Sequence, residues 1–183
     1  MGGIRSNGTW RNWAGNQVTH PARIERPRCE DEVVAVVRSA AAEGLRIRVV
    51  GAGHSFTGIA ATDEVLVTLD GLDDVHQVDT DTGRVRVGAG IRLCDLNPIL
   101  NATGLAMPNL GDIDYQSVAG AIATSTHGTG LGFRSIADGV VGLRMVAGDG
   151  TVIPCDRTTD PDLLHVARVG LGALGIITEV TLV

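Results

Sequence analysis

Three glycine-rich loops and two histidines hold most of the chemistry this sequence can offer. In Val50-Gly51-Ala52-Gly53-His54-Ser55-Phe56, two glycines one residue apart let main-chain N–H groups converge on an anion, as a phosphate-binding nest requires. The segment departs from a dinucleotide-binding fingerprint. Phe56 stands where a third glycine belongs, and no helix is expected after it to direct an N-terminus at a pyrophosphate. A tight surface turn stays open as the alternative, although His54 and Ser55 at such a tip have little to do for packing. The second loop runs from Ser117 to Gly132 and carries Thr124, Ser125, Thr126 and His127. Its small residues let the backbone approach a flat ligand while its hydroxyls offer hydrogen bonds. The competing reading is a small-residue helix packed on a sheet, with His127 as a hydrogen-bonded core histidine, and for His127 that is the expectation. The third loop, Gly170-Leu-Gly-Ala-Leu-Gly175, matches G-x-G-x-x-G letter for letter. A helix precedes it and a strand follows it, the reverse of the order that cradles a dinucleotide. It is expected to be a tight helix-to-strand connection against which a ligand can lie.

Composition narrows the functions these loops can serve. All 15 basic residues are arginine, which excludes a P-loop lysine and a lysine Schiff base. A net charge of -6 argues against nucleic acid or an anionic membrane as partner. Cys29, Cys94 and Cys155 are widely spaced with no CxxC pair, so they are expected to be reduced core thiols of a cytoplasmic protein, with no metal site. No signal peptide is apparent before the first helix, and no apolar run reaches the roughly 18 residues of a transmembrane segment. The 25 glycines exceed the usual frequency of roughly 7%, and the excess falls largely in or beside the three loops.

The elements that must position these loops follow from periodicity. Residues 1–20 lack a regular pattern and are expected to form an irregular arm, with Trp10 and Trp13 capping an apolar edge. After Pro27, the acidic start Glu30-Asp31-Glu32 and the apolar face Val33, Val36, Val37, Ala40 and Ala41 predict a helix stopped by Gly44. Short strands are expected at Arg46–Val50 and Val65–Leu69. Beyond residue 71, hairpins are expected around Asp79–Gly83 and Gly148–Gly150. Helices are expected at Leu93–Ala102 (interrupted or kinked at Pro98), Val118–Ala123 and Asp160–Val169, with a strand from Ile176 to Val183. The predicted fold class is α+β: two α/β subdomains, about 21–70 and 71–183, the first a small parallel-sheet unit and the second a larger, mainly antiparallel sheet flanked by helices. The sequence ends within its last predicted strand, so a longer protein is expected.

Taken together, Asn12-Trp13-Ala14-Gly15-Asn16, Val50–Phe56, Gly71-Leu72, Val87–Gly90, Gly104–Asn109, Ser117–Gly130 and Gly170–Ile177 resemble the PCMH-type FAD-binding domain of the vanillyl-alcohol oxidase superfamily. Within it, the aldonolactone and alditol oxidoreductases are the most similar. The family often has serine where this chain has Gly170. The resemblance implies a PCMH-type FAD-binding fold and places Val49, Val50, Gly51, Ala52, Gly53 and Ser55 around the FAD pyrophosphate. It makes His54 the covalent attachment point for the 8α carbon of the flavin. It sets Gly111, Asp112, Ser117, Gly120, Ile122, Ala123 and Thr124 along the cofactor, with Gly111 leaving space for dioxygen, and Gly175, Ile176 and Ile177 at the adenosine or ribityl end.

The activity implied is oxidation of a sugar-1,4-lactone, of the L-gulono- or D-arabinono-1,4-lactone type that yields ascorbate-like products. Hydride passes to flavin, and dioxygen or another electron acceptor takes the electrons. An alditol oxidase and a non-catalytic flavin- or nucleotide-binding module are the alternatives. In the family the general base and substrate pocket lie in a C-terminal substrate domain, so no catalytic residue is expected in this chain.

Overall fold

In the run Val65-Leu66-Val67-Thr68 every residue is buried, a pattern suited to a strand flanked by two others and covered on both faces. The structure, a computed structural model describing residues 3–183, puts it there. In chain order the elements are β1 (Gly3–Ile4), β2 (Trp10–Arg11), β3 (Val18–Thr19), β4 (Arg23–Glu25), α1 (Glu30–Ala42), β5 (Ile47–Val50), β6 (Val65–Thr68), β7 (Val75–Asp79), β8 (Arg84–Gly88), α2 (Leu93–Ala102), α3 (Val118–Ala123), β9 (Val140–Val146), β10 (Val152–Asp156), α4 (Pro161–Ala167) and β11 (Ile176–Leu182). β6 is the middle strand of a parallel sheet ordered β4-β6-β5. The second sheet runs β10-β9-β11-β8-β7 and is antiparallel throughout. The fold is α+β, a small parallel unit followed by a larger antiparallel one, as its sequence predicts.

Helix α1 joins the two. Its acidic first turn favours the helix N-terminus, and its apolar spacing sends Val33, Val37 and Ala40 inward. They pack in one cluster with Val65 and Val67 of the parallel sheet and with Val146 and Ile176 of the antiparallel one. Burying each valine is worth roughly 1.5–3 kcal/mol. At the start of the helix the Glu30 carboxylate accepts from Arg144 Nη2 at 2.6 Å and Arg144 Nε at 3.1 Å, and from the Thr178 hydroxyl at 2.7 Å. The larger core lies between the antiparallel sheet and α2, α3 and α4. Pro98 does not interrupt α2: Leu93, Leu96 and Leu100 are all buried on one side of it, and their burial outweighs the roughly 3 kcal/mol that an interior proline costs.

Three expectations need correction. The N-terminal arm is not irregular: β1, β2 and β3 form a small antiparallel sheet, and the first two residues of the expected arm lie outside the described residues. Trp10 is 2% exposed and packs with Val50 and Leu66, whereas Trp13 is 55% exposed; only the first caps an apolar edge. Of the three cysteines only Cys155 is a core thiol, since Cys94 is half-buried and Cys29 exposed. Cys29 occupies the N-cap of α1 in extended backbone, outside the apolar face that Val33, Val37 and Ala40 bury. Among the described residues, no helix is long and apolar enough to cross a membrane.

Candidate functional site

The chain leaves the parallel sheet at Val50, the carboxyl end of β5, which is where sheets of this kind open onto ligand crevices. There the loop Gly51–Ser55 borders a cleft of ≈ 390 Å³. Val37, Ala41 and Leu45 contribute from α1 and the turn after it, Gln116, Ser117, Gly120, Ala123 and Thr124 from the region of α3, and residues 171–177 from the third loop and the start of β11. Arg48 also lines it. The chain carries 21 acidic residues, yet none is among the described residues lining the cleft, so nothing there repels an anion.

Two glycines shape the loop. Gly53 has φ +71°, a conformation that lets neighbouring amides converge. A β-carbon on Gly51 would fall within 3.0 Å of Ser117 Oγ, so the loop backbone lies directly against the Ser117 side chain at the start of α3. The amides of Ala52, Gly53, His54 and Ser55 find no protein acceptor among the described residues. The start of α3 is different. Val118 N donates to Ile91 O and Ala119 N to Ala89 O, each at 2.9 Å, and Gly120 N donates to Ser117 Oγ at 3.2 Å. The donors free to meet an anion therefore belong to the loop, and the short helix supplies a wall.

The N-terminal sheet holds this loop from behind. Trp13 N donates to Gly53 O at 2.8 Å. Asn12 Nδ2 donates to Ser55 O and Asn16 Nδ2 to Phe56 O, both at 2.9 Å. Asn12 is 1% exposed and is fixed in turn by Asn16 Oδ1 at 2.7 Å and by Gln17 N at 3.0 Å. The His54 ring lies 5.7 Å from the ring of Trp13, tilted by 31°. Burial pushes the His54 pKa below its ordinary value, and the Arg92 guanidinium lowers it further. The imidazole is thus kept neutral, with a lone pair available as nucleophile.

Of the residues singled out from sequence, Val49, Val50, Gly51, Ala52, Gly53, His54, Ser55, Ser117, Gly120, Ala123, Thr124, Gly175, Ile176 and Ile177 line this one cleft. Three do not. Ile122 is fully buried in the core of the antiparallel half, because it follows Val118 and Ala121 on the inward face of α3. Gly111 and Asp112 lie in the segment before α3, half-buried and exposed respectively. His127 is not a core histidine: it is exposed, with Nδ1 2.8 Å from Gly128 O. Trp10, Arg48, Gln116 and Leu171 line the cleft without having been picked out. Arg48 alternates outward along β5, a signal that was present in the sequence. Gln116 gave none.

The cleft could hold an elongated, anionic, partly aromatic cofactor. Its loop offers a row of unpaired amides, its Gly51–Ser117 contact brings the loop close against the start of α3, and apolar residues from α1 and the third loop complete it. These features fit FAD, whose pyrophosphate takes amide donors and whose ring takes apolar cover.

Comparison with known proteins agrees. Residues 21–156 match the family described as FAD binding domain, and the chain belongs to that family. It is 46% identical over 173 residues to L-gulono-1,4-lactone dehydrogenase of Mycobacterium tuberculosis, covering 94% of this chain and 40% of that protein. It is 39% identical to L-gulonolactone oxidase of Mus musculus, covering 94% and 39%. Among solved structures, 6-hydroxy-D-nicotine oxidase of Arthrobacter nicotinovorans superposes with a TM-score of 0.86 at 27% identity, covering 94% of this chain and 38% of that one. The chain thus spans about 40% of the length of these curated relatives.

Proposed function

We propose that this chain is the FAD-binding part of an oxidoreductase acting on a sugar-1,4-lactone, of the L-gulono- or D-arabinono-1,4-lactone type, in the formation of ascorbate-like products. The observation that carries the reading is the row of unpaired amides at Ala52–Ser55 beside a neutral His54 in a cleft without carboxylates. The lactone names of the curated relatives favour a lactone over an alditol.

Bound FAD supplies the two-electron acceptor for oxidation of a carbinol carbon. The chain's own groups bind and orient it. The amides of Ala52 to Ser55 satisfy the pyrophosphate, at a site where Arg48 adds positive charge. His54 would hold the ring through a bond from Nε2 or Nδ1 to the 8α carbon; that bond replaces one methyl C–H and the imidazole N–H, and the two electrons and two protons released would pass to the flavin itself and from it to the electron acceptor. Leu171, Leu174 and Ile177 keep water from the cofactor. The substrate loses two electrons and two protons, and the general base and lactone pocket are assigned to sequence outside residues 1–183. Free cysteines suit a reducing cytoplasmic setting.

The test is direct. The protein should be yellow, and acid precipitation should leave the colour on the polypeptide; a colourless protein that takes up no added FAD would refute the reading. In His54→Ala the flavin should become extractable, and the full-length enzyme should oxidise lactones from a panel of lactones and polyols.

A further inference from the structure

Gln116 borders the cleft, yet its Oε1 is buried without a hydrogen-bond partner among the described residues. A buried acceptor left unmade costs about 1–3 kcal/mol, so its orientation needs a reason. The neighbouring hydroxyls provide one. Thr124 Oγ1 donates to Gly120 O at 2.9 Å, which uses the only proton of Thr124. Thr126 Oγ1 lies 3.3 Å from Thr124 Oγ1 and must then be the donor in that pair. With its proton committed, Thr126 can only accept from Gln116, and Gln116 Nε2 stands 3.0 Å away. This order of protons fixes the amide and leaves Oε1 as the unpaired group.

We infer that Gln116 Oε1 accepts a hydrogen bond from a ribityl hydroxyl of FAD. The inference rests on the FAD reading of the cleft. Gln116 precedes Ser117, whose hydroxyl lies against Gly51 at the start of the amide row, so the acceptor stands beside the pyrophosphate cradle. Oε1 can be satisfied only by a donor. Phosphate oxygens are acceptors, and on the flavin side of the pyrophosphate the nearest donors are the ribityl hydroxyls. Gln116 is therefore a positioning residue: it fixes the stem that connects the pyrophosphate to the ring, and the Gly120–Thr124–Thr126 chain fixes Gln116.

The experiment uses the full chain in a His54→Ala background, where flavin binding is reversible, and reads affinity from quenching of flavin fluorescence. The ligands are FAD and analogues lacking the 2′-, 3′- or 4′-hydroxyl of the ribityl chain. The parent should bind FAD and lose about three- to tenfold in affinity for one analogue, the range one net hydrogen bond gives. Gln116→Met, close in volume, should bind FAD about three- to tenfold more weakly and no longer distinguish that analogue from FAD. Gln116→Glu keeps an acceptor and should keep the distinction, and thermal unfolding of each apoprotein confirms its fold. Equal losses for every analogue in parent and Gln116→Met, or unchanged FAD affinity in Gln116→Met, would overturn the inference and leave the FAD reading standing. A parent that binds no FAD overturns both.

Discussion

Ser117 Oγ fills the space that a β-carbon on Gly51 would occupy, so the loop at the end of β5 and the N-cap of α3 meet with no room for a side chain between them. The hydroxyl cannot move aside without cost, because it also accepts from Gly120 N at 3.2 Å and caps the helix. Position 51 is thereby tied to a residue 66 places away in the sequence, and the cleft depends on both.

Gly51→Ala should therefore destabilise the protein by about 1–3 kcal/mol, the range for inserting a carbon into a packed site, and should weaken FAD binding at least tenfold. Ser117→Ala alone should cost about 1 kcal/mol through loss of the cap. In the double variant the clash is gone, so its loss of stability should be smaller than the two single losses added. Denaturant unfolding of the four proteins checks this, and simple additivity would show that the contact is not rigid.

His54 links the cleft to pH. Its folded-state pKa is lowered by burial and then by Arg92, while in the unfolded chain it titrates at about 6.5. Above that value both states hold it neutral and it has no effect on stability. As pH falls below it, the unfolded chain takes up the proton first and stability declines. The drop in denaturation midpoint between pH 7.5 and 5.5 should be smaller in His54→Gln than in the parent. Covalent flavin incorporation, which needs the neutral imidazole, should hold its rate from pH 8 down past 6.5.

Both the elements and the loops were legible from sequence where periodicity or glycine spacing was strong. Val118–Ala123 and Leu93–Ala102 fall where their patterns predict, and most of the flagged loop residues meet in one cleft. The N-terminal sheet was not legible. Its three strands have two residues each, too few to show alternation, and their order comes from Asn12 and Trp13 bonding to a loop some 40 residues on. Ile122 was misplaced for a different reason. In a helix of only six residues, sequence marks a segment as near the ligand without telling which face looks at it. His127 looked like core because it follows small residues, whereas the turn after α3 carries it outward.

The Glu30–Arg144 pair offers a separate handle on stability. Arg144 holds the Glu30 carboxyl below its ordinary pKa chiefly by hydrogen bonding, with burial opposing and the Thr178 hydroxyl adding to the effect. A depressed carboxyl pKa stabilises the fold above the unfolded value of about 4.3 and ceases to do so as pH falls through the folded one. Glu30→Gln should cost about 1–2 kcal/mol near neutrality, since the pair is charged and bidentate but partly exposed. Its unfolding curve should also be flatter in acid, below about pH 4.5. An acid limb identical to the parent's would mean that Glu30 is not among the groups that drive acid unfolding.

Leu171 has φ +51° and is 49% exposed, an arrangement that costs a non-glycine residue about 1–2 kcal/mol. It borders the cleft, and its conformation is the kind of local strain retained where a side chain serves a ligand. Leu171→Gly should relieve the strain, partly offset by the roughly 0.5–1 kcal/mol of extra freedom that glycine loses on folding. The apoprotein should become more stable by up to about 1 kcal/mol while FAD binds about five- to tenfold more weakly, because apolar cover is gone. Leu171→Ala separates the two effects: it keeps the backbone strain and removes most of the side chain, so it should weaken FAD binding without raising stability. Equal stability gains in both variants would place the cost in the side chain rather than in the backbone.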